Sequence, residues 1–198
     1  LTCTDKFKTF NWLKNNDFPT PDTYIVENKD QLREGLILKP RTGFGSNIQK
    51  IKKDNNFQIH NYNNVIMQEL CNLPEITIDV HYSGKFDFFV YVCRERIETK
   101  GGVCTKARIF REPVLGEMAL SLAKKLNLSN FCFQVMTLKD EYVITDINPR
   151  LGAGTAMSGA VGLDFHAAMF ANLWGENPEK YFLKFSEEKY VKIGRAHV

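Results

Sequence analysis

Short connections between apolar segments constrain this chain more than any other feature. Ile76, Ile78, Val80 and Tyr82 alternate with Thr77, Asp79 and His81, the period of a half-buried strand, and Ser83–Gly84–Lys85 turns the chain into Phe86 to Cys93. Farther on, Phe131 to Thr137 and Tyr142 to Ile147 flank the loop Lys139–Asp140–Glu141. Connections this short permit only antiparallel return, because a parallel crossover needs about a dozen residues. Helical patterns lie apart from these strands. Residues 4–16 place Phe7, Phe10 and Leu13 on one face, with Thr4 as cap and Pro19 and Pro21 beyond the end. Residues 113–127 carry the stripe Leu115, Met118, Ala119, Leu122 and Leu126, and a third helix runs from Asp164 to Trp174, where Gly175 ends it. Strands in antiparallel neighbours with segregated helices predict an α+β fold.

Composition narrows the function classes. The 198 residues carry 26 Lys and Arg against 23 Asp and Glu, a net charge of only +3, with the basic residues scattered. That balance argues against nucleic acid or an anionic membrane as the main partner. Apolar runs such as Phe88 to Cys93 are far short of the roughly 20 residues of a bilayer span. The five cysteines, Cys3, Cys71, Cys93, Cys104 and Cys132, are odd in number and lack zinc or redox spacing. Free thiols fit a cytoplasmic setting. The chain opens on Leu1 without a leader pattern, which suggests upstream sequence, and its last residues, GRAHV, read as a non-native scar.

Three groups of residues could carry chemistry. In Lys39–Pro40–Arg41–Thr42–Gly43–Phe44–Gly45–Ser46, a glycine loop lies between Leu36 to Lys39 and Ile48 to Ile51, both strand-like. Its backbone N–H groups could approach a phosphate, with Lys39 supplying charge. No GK[ST] closes the loop and no helix follows, so it is not a Walker A loop, and on these residues alone a plain hairpin turn is the stronger reading. In the hairpin at 131–147, Asp146 and Asn148 share a face by their spacing of two. A three-residue loop at Lys139–Glu141 would set Gln134 directly opposite Asp146. One carboxylate and two amides form a hard-oxygen set that suits Mg²⁺ sharing its shell with phosphates, while a solvated polar sheet face is the alternative reading. Arg150 adds a planar cation just beyond. The third group, Met67–Gln68–Glu69–Leu70 followed by Glu75, reads as a strand ending in a carboxylate that could offer backbone groups to a base and Glu69 to a ribose hydroxyl, though on these residues alone a surface glutamate is the stronger reading. His60 and His81 have no partner at metal-ligand spacing and read as surface or core-edge residues. His166 and Trp174 read as packing.

Taken in order, Asp5–Lys6, KPRTGFGS, IMQEL with ITIDV, FQV and ITDINPR resemble the ATP-grasp superfamily over roughly residues 4–175. The form is closest to the carbamoyl phosphate synthase large chain, and TDINPR with Gln134 one strand upstream is its most specific piece. The resemblance implies an α+β ATP-grasp fold of two lobes with mainly antiparallel sheets gripping ATP between them. The domain would occupy 1–185, with a small lobe at about 20–70, a tail at 186–198 and a missing upstream domain. Lys6 and Lys39 would contact ATP phosphates, with Gly43, Gly45 and Ser46 folding over them. Glu69 and Leu70 would lie at the adenine and ribose hinge, and Glu75 near the ribose or acceptor. Gln134, Asp146 and Asn148 would hold Mg²⁺, with Mn²⁺ as an alternative. Arg150 would steady the acyl-phosphate, and Lys106 or Arg108 would meet the acceptor or phosphate.

The implied activity is an ATP- and Mg²⁺-dependent carboxylate–amine ligase. Its partners would be small-molecule carboxylates and nucleophiles, with a homodimer allowed. Three departures stand against a true carbamoyl phosphate synthase: Asp146 where the family usually has a glutamate, Asn47 after the loop serine, and Gly102 to Lys106 where those enzymes carry a histidine. They motivate the alternative of a non-catalytic nucleotide-binding module; the missing upstream domain motivates another, a fragment of a larger ATP-grasp enzyme.

Overall fold

The structure is a computed structural model and describes residues 2–43, 48–52, 64–101 and 103–194. Gly45, Ser46, Asn47, His60 and Gly102 therefore lie outside the described residues, as do 195–198 at the end of the chain. The described chain divides into two compact units, Leu1–Leu73 with Val135–Ile147, and Pro74–Gln134 with Asn148–Val198.

In the first unit, helix α1 (Lys6–Asn15) begins at Asp5, whose carboxylate accepts the N–H groups of Phe7 and Lys8 at 3.0 and 3.2 Å. Asp5, not Thr4, is the cap, because residues 2–4 form a separate 3-10 turn. Four strands follow, β1 (Thr23–Ile25), β2 (Leu36–Pro40), β3 (Gln49–Lys50) and β4 (Val65–Glu69), in the sheet order β1-β4-β2-β3. The pairings β1/β4, β2/β4 and β2/β3 are all antiparallel, so the expected strand, glycine loop and strand make a hairpin of β2 and β3. Val26, Leu38, Ile51 and Met67 form its apolar cluster.

The second sheet runs β10-β7-β6-β5-β8-β9, built from β5 (Asn72–Ser83), β6 (Phe88–Lys100), β7 (Val103–Phe110), β8 (Asn130–Leu138), β9 (Glu141–Asn148) and β10 (Lys189–Lys192). The pairs β5/β6, β6/β7 and β7/β10 are antiparallel. Helix α2 (Pro113–Leu126) starts with proline in its first turn and buries Leu115, Ala119 and Leu122. Helix α3 (Phe165–Leu173) is capped by Asp164, which accepts the Ala167 N–H at 2.9 Å. Mixed strands and helices in antiparallel sheets give the expected α+β class.

Several expectations are corrected by burial. The segment Ile76–His81 is buried throughout, so β5 is not half-buried. Its polar alternation does not face water, because the 3-10 segment Thr155–Val161 packs over the second unit's sheet, with Met157, Val161, Leu163 and Phe165 joining Val90, Val92 and Ile109. His81 is 0% exposed, which overturns the surface alternative of its reading and sets it in the core. His166 is exposed, and Trp174, at the end of α3, is 76% exposed rather than packed in the core. The β8/β9 turn has two residues, not three. Lys139 (φ 52°) and Asp140 (φ 65°) both adopt left-handed backbone, the geometry of a type I′ turn whose twist matches the strands. The placement of Gln134 directly opposite Asp146 thus loses the loop length on which it rested; β8 and β9 remain neighbouring strands.

Candidate active site

Within the first unit the sequence brings Lys39, Glu69 and Asp146 onto ordered strands. Lys39 lies on β2 beside Ile66 of β4 and is only 7% exposed. Its ammonium donates to the Thr145 carbonyl at 3.2 Å, one residue before Asp146. A buried cation requires such partners, since desolvation opposes its charge. Glu69 closes β4 and brackets Asp22: its carboxylate accepts the Asp22 N–H at 2.8 Å, and its own N–H donates to the Asp22 carbonyl at 3.0 Å. Next to it Leu70 is exposed, and the Cys71 thiol is buried. Burial raises the Cys71 thiol, the Lys39 charge lowers it and the Glu69 charge raises it, with a net upward shift. The Cys3 thiol is likewise pushed up, first by burial and then by the negative charge of Asp146.

The stem of the glycine loop is anchored from both sides. Lys6 donates from its ammonium to the Gly43 carbonyl at 3.2 Å and from its backbone to the Arg41 carbonyl at 2.9 Å. Arg41 Nε donates to both carboxylate oxygens of Asp5 at 3.0 and 2.9 Å. Burial raises the Asp5 carboxyl, but the hydrogen bonds from Arg41, Lys8 and Phe7 outweigh it and hold Asp5 below its ordinary range. On the far side, Thr42 donates from its N–H and hydroxyl to the Asn64 amide oxygen at 3.2 and 2.6 Å.

The second unit holds Glu75, Lys106, Gln134, Asn148 and Arg150. Glu75 on β5 pairs with Arg96 of β6. Lys106 on β7 lies 3.6 Å from Glu98, which also takes Lys192 of β10 at 3.3 Å. Arg150 is exposed and donates to the Leu151 carbonyl at 2.9 Å. Gln134, Asp146 and Asn148 are each half-buried, the latter two at same-face positions of β9. Among the described residues no three His, Cys, Asp or Glu side chains cluster as a metal site. One carboxylate with two amide oxygens nonetheless fits Mg²⁺, which takes few carboxylates and completes its shell with water and phosphate oxygens.

Sequence reasoning missed Asp79, Arg94, Arg96 and Thr155. The Asp79 carboxylate accepts Arg94 Nε and Nη2, both at 3.1 Å, and the hydroxyls of Thr155 and Ser158 at 2.8 and 3.1 Å. An aspartate alternating with isoleucine and valine looks solvated until the segment that covers it is placed.

The family model described as the ATP-grasp domain matches residues 3–154. The chain belongs to the ATP-grasp family. No curated protein matches it by sequence. Solved structures show the same fold. The N5-carboxyaminoimidazole ribonucleotide synthetase of Thermotoga maritima is similar with a TM-score of 0.62 at 18% identity, over 82% of this chain and 45% of that one. The N5-carboxyaminoimidazole synthase of Aspergillus clavatus, in complex with ADP and 5-aminoimidazole ribonucleotide, gives 0.71 at 16% identity, over 98% and 58%. An L-amino acid ligase from Bacillus licheniformis gives 0.60 at 15% identity, over 79% and 43%. The chain thus spans about half the length of these structures. Among the described residues no helix is long and apolar enough to cross a membrane.

Proposed function

We propose that this chain binds ATP with Mg²⁺ and activates a small-molecule carboxylate for attack by an amine or similar nucleophile, in the manner of the carbamoyl phosphate synthases. We assign residues 1–185 to the ATP-grasp domain, with a small lobe at about 20–70, and the chain to the cytoplasm, where its free thiols are stable. The observation that supports the reading most is the buried Lys39 ammonium, held on the Thr145 carbonyl beside Asp146. A cation fixed in a partly desolvated setting attracts phosphate oxygens more strongly than one in water.

The substrate carboxylate bonds to the γ-phosphorus of ATP as the bond to the bridging oxygen breaks, releasing ADP. The nucleophile then bonds to the acyl carbon, loses a proton and expels inorganic phosphate. No nucleophilic side chain is required. Lys39 and Lys6 hold phosphate oxygens, with Gly43, Gly45 and Ser46 offering the loop's backbone and hydroxyl donors. Glu69 and Leu70 meet the adenine and ribose, with Glu75 near the ribose or acceptor. Arg150 balances negative charge on the transferring group, and Lys106 meets the acceptor. Gln134, Asp146 and Asn148 would hold Mg²⁺, which supplies charge neutralisation at the phosphates.

Titrating the purified chain calorimetrically with a non-hydrolysable ATP analogue, with and without Mg²⁺, tests the site. Micromolar affinity, about −8 kcal/mol, that requires Mg²⁺ is expected. ADP release on addition of carboxylates tests the chemistry. A second reading, a nucleotide-binding module without turnover, draws on the ion pairs that already engage Glu75 and Lys106. Mg²⁺-dependent binding with no ADP release from any carboxylate and amine pair would favour it.

A further inference from the structure

The most deeply buried ion pair among the described residues has no part in the reaction above. Asp79 is fully buried and Arg94 is 2% exposed. Burial opposes the Arg94 charge, but Asp79 more than offsets it. A buried pair of this kind seldom adds net stability over apolar packing, so a specifying role is the more economical account of its presence. The pair reaches toward Arg150 through a short chain of hydrogen bonds. The Thr155 hydroxyl donates to Asp79 Oδ1 at 2.8 Å and accepts the Gly152 N–H at 3.0 Å, while the Thr155 N–H donates to the Gly152 carbonyl at 3.0 Å. Leu151, immediately before Gly152, offers the carbonyl on which the Arg150 guanidinium rests. Arg94 also occupies the space beside Gly154: a Cβ there would meet its Nη1 and lie 2.8 Å from its Cζ.

We propose that Thr155, braced by the buried Asp79–Arg94 pair, is a positioning residue that sets the backbone at Leu151–Gly152 and through it the aim of the Arg150 guanidinium. The inference rests on the ligase reading, in which Arg150 meets the acyl-phosphate. Ser158 holds the other oxygen of Asp79 at 3.1 Å and serves as the internal control.

The test uses the full chain labelled with ¹⁵N-arginine and compares Thr155→Val, Thr155→Ser and Ser158→Ala. Loss of one hydrogen bond to a charged group corresponds to about tenfold or more. Thr155→Val is therefore expected to speed amide exchange at Gly152 about tenfold and to shift the Arg150 Nε signal. Thr155→Ser restores both, and Ser158→Ala moves neither. In carboxylate-dependent ADP release, Thr155→Val lowers kcat about tenfold with KM for ATP within about twofold. Combining it with Arg150→Ala slows turnover no further than Arg150→Ala alone. An unchanged Gly152 amide and Arg150 signal in a folded Thr155→Val overturns the positioning role whatever the activity. Absence of ADP release in the unaltered chain overturns the ligase reading instead, and the exchange and Arg150 measurements still decide the positioning. If Thr155→Val fails to unfold cooperatively, Gly154→Ala replaces it, since its Cβ displaces the Arg94 guanidinium with every hydroxyl retained. The same shifts are expected, and their absence overturns the proposal equally.

Discussion

Lys39 and His81 are both buried, and the polar contacts they make differ in strength. The Lys39 ammonium donates to the Thr145 carbonyl, and a charge-assisted hydrogen bond of this kind is worth about 1.5–3 kcal/mol. Lys39→Ala should therefore weaken the ATP analogue by about 10–100-fold in calorimetry and adenosine far less. Equal losses for both ligands would show that Lys39 does not read phosphate. His81 has no such charge. Its Nδ1 lies 2.8 Å from the Asn130 amide oxygen, its ring lies 5.6 Å from that of Phe182, and its Nε2 is buried with no hydrogen-bond partner among the described residues. Burial lowers its affinity for a proton below the ordinary 6.5, against a smaller raising effect from Asn130. The unfolded chain thus binds the proton first, and stability present above pH 6.5 falls as the pH drops below it, by up to about 1.4 kcal/mol per pH unit. Urea unfolding at pH 7.5 and 5.5 should show this loss, and His81→Phe should reduce it. A slope unaltered by the substitution would assign the pH dependence elsewhere.

At the scale of elements, the Asp5 side chain ties the start of helix α1 to the stem of the glycine loop. Asp5 caps the helix through Phe7 and Lys8 and also takes the Arg41 guanidinium, with Arg41 Nη2 at 2.8 Å. Asp5→Ala removes both functions and should cost about 1–2 kcal/mol, the range of N-cap losses, whereas Asp5→Asn keeps a capping oxygen and should cost less. Chemical denaturation separates the two. Equal losses would mean that the ion pair rather than the cap carries the energy. The helices themselves were legible in the chain because their signals are local: apolar spacing in 113–127, Asp164 before α3 and Gly175, at φ 77°, after it. The cap of α1 was misplaced by one residue because Thr4 and Asp5 can both cap, and only the 3-10 turn at 2–4 decides between them. The β8/β9 loop was misread for a related reason. Lys139 and Asp140 are not the Asn-Gly or Asp-Gly pair that marks a type I′ turn, so its length did not show.

For the molecule as a whole, ligand binding and folding are linked. A ligand at about 100 times its Kd stabilises the folded state by about 2.7 kcal/mol, which for a chain of this size raises Tm by about 5–10 °C. Thermal unfolding with the ATP analogue and Mg²⁺ should show that rise, and removal of Mg²⁺ with a chelator should reverse most of it; a rise indifferent to the metal would remove Gln134, Asp146 and Asn148 from its explanation. The antiparallel α+β class could be read from the chain, because period and short turns act over a few neighbours, and the ATP-grasp family from the resemblance of its ordered motifs. Which side of a strand is dry could not. Asp79 and His81 alternate with Ile78 and Val80 as surface residues do, yet both are buried: Thr155 and Ser158, 76 and 79 residues later, bond to Asp79, and the rings of Phe88 and Phe182 pack on His81. Trp174 shows the reverse, an aromatic residue at core-like spacing that stays 76% exposed with the Phe170 ring beside it. Local periodicity determines what a segment can become, while burial depends on what long-range packing brings over it, and so the buried brace behind Arg150 was decided by the tertiary structure alone.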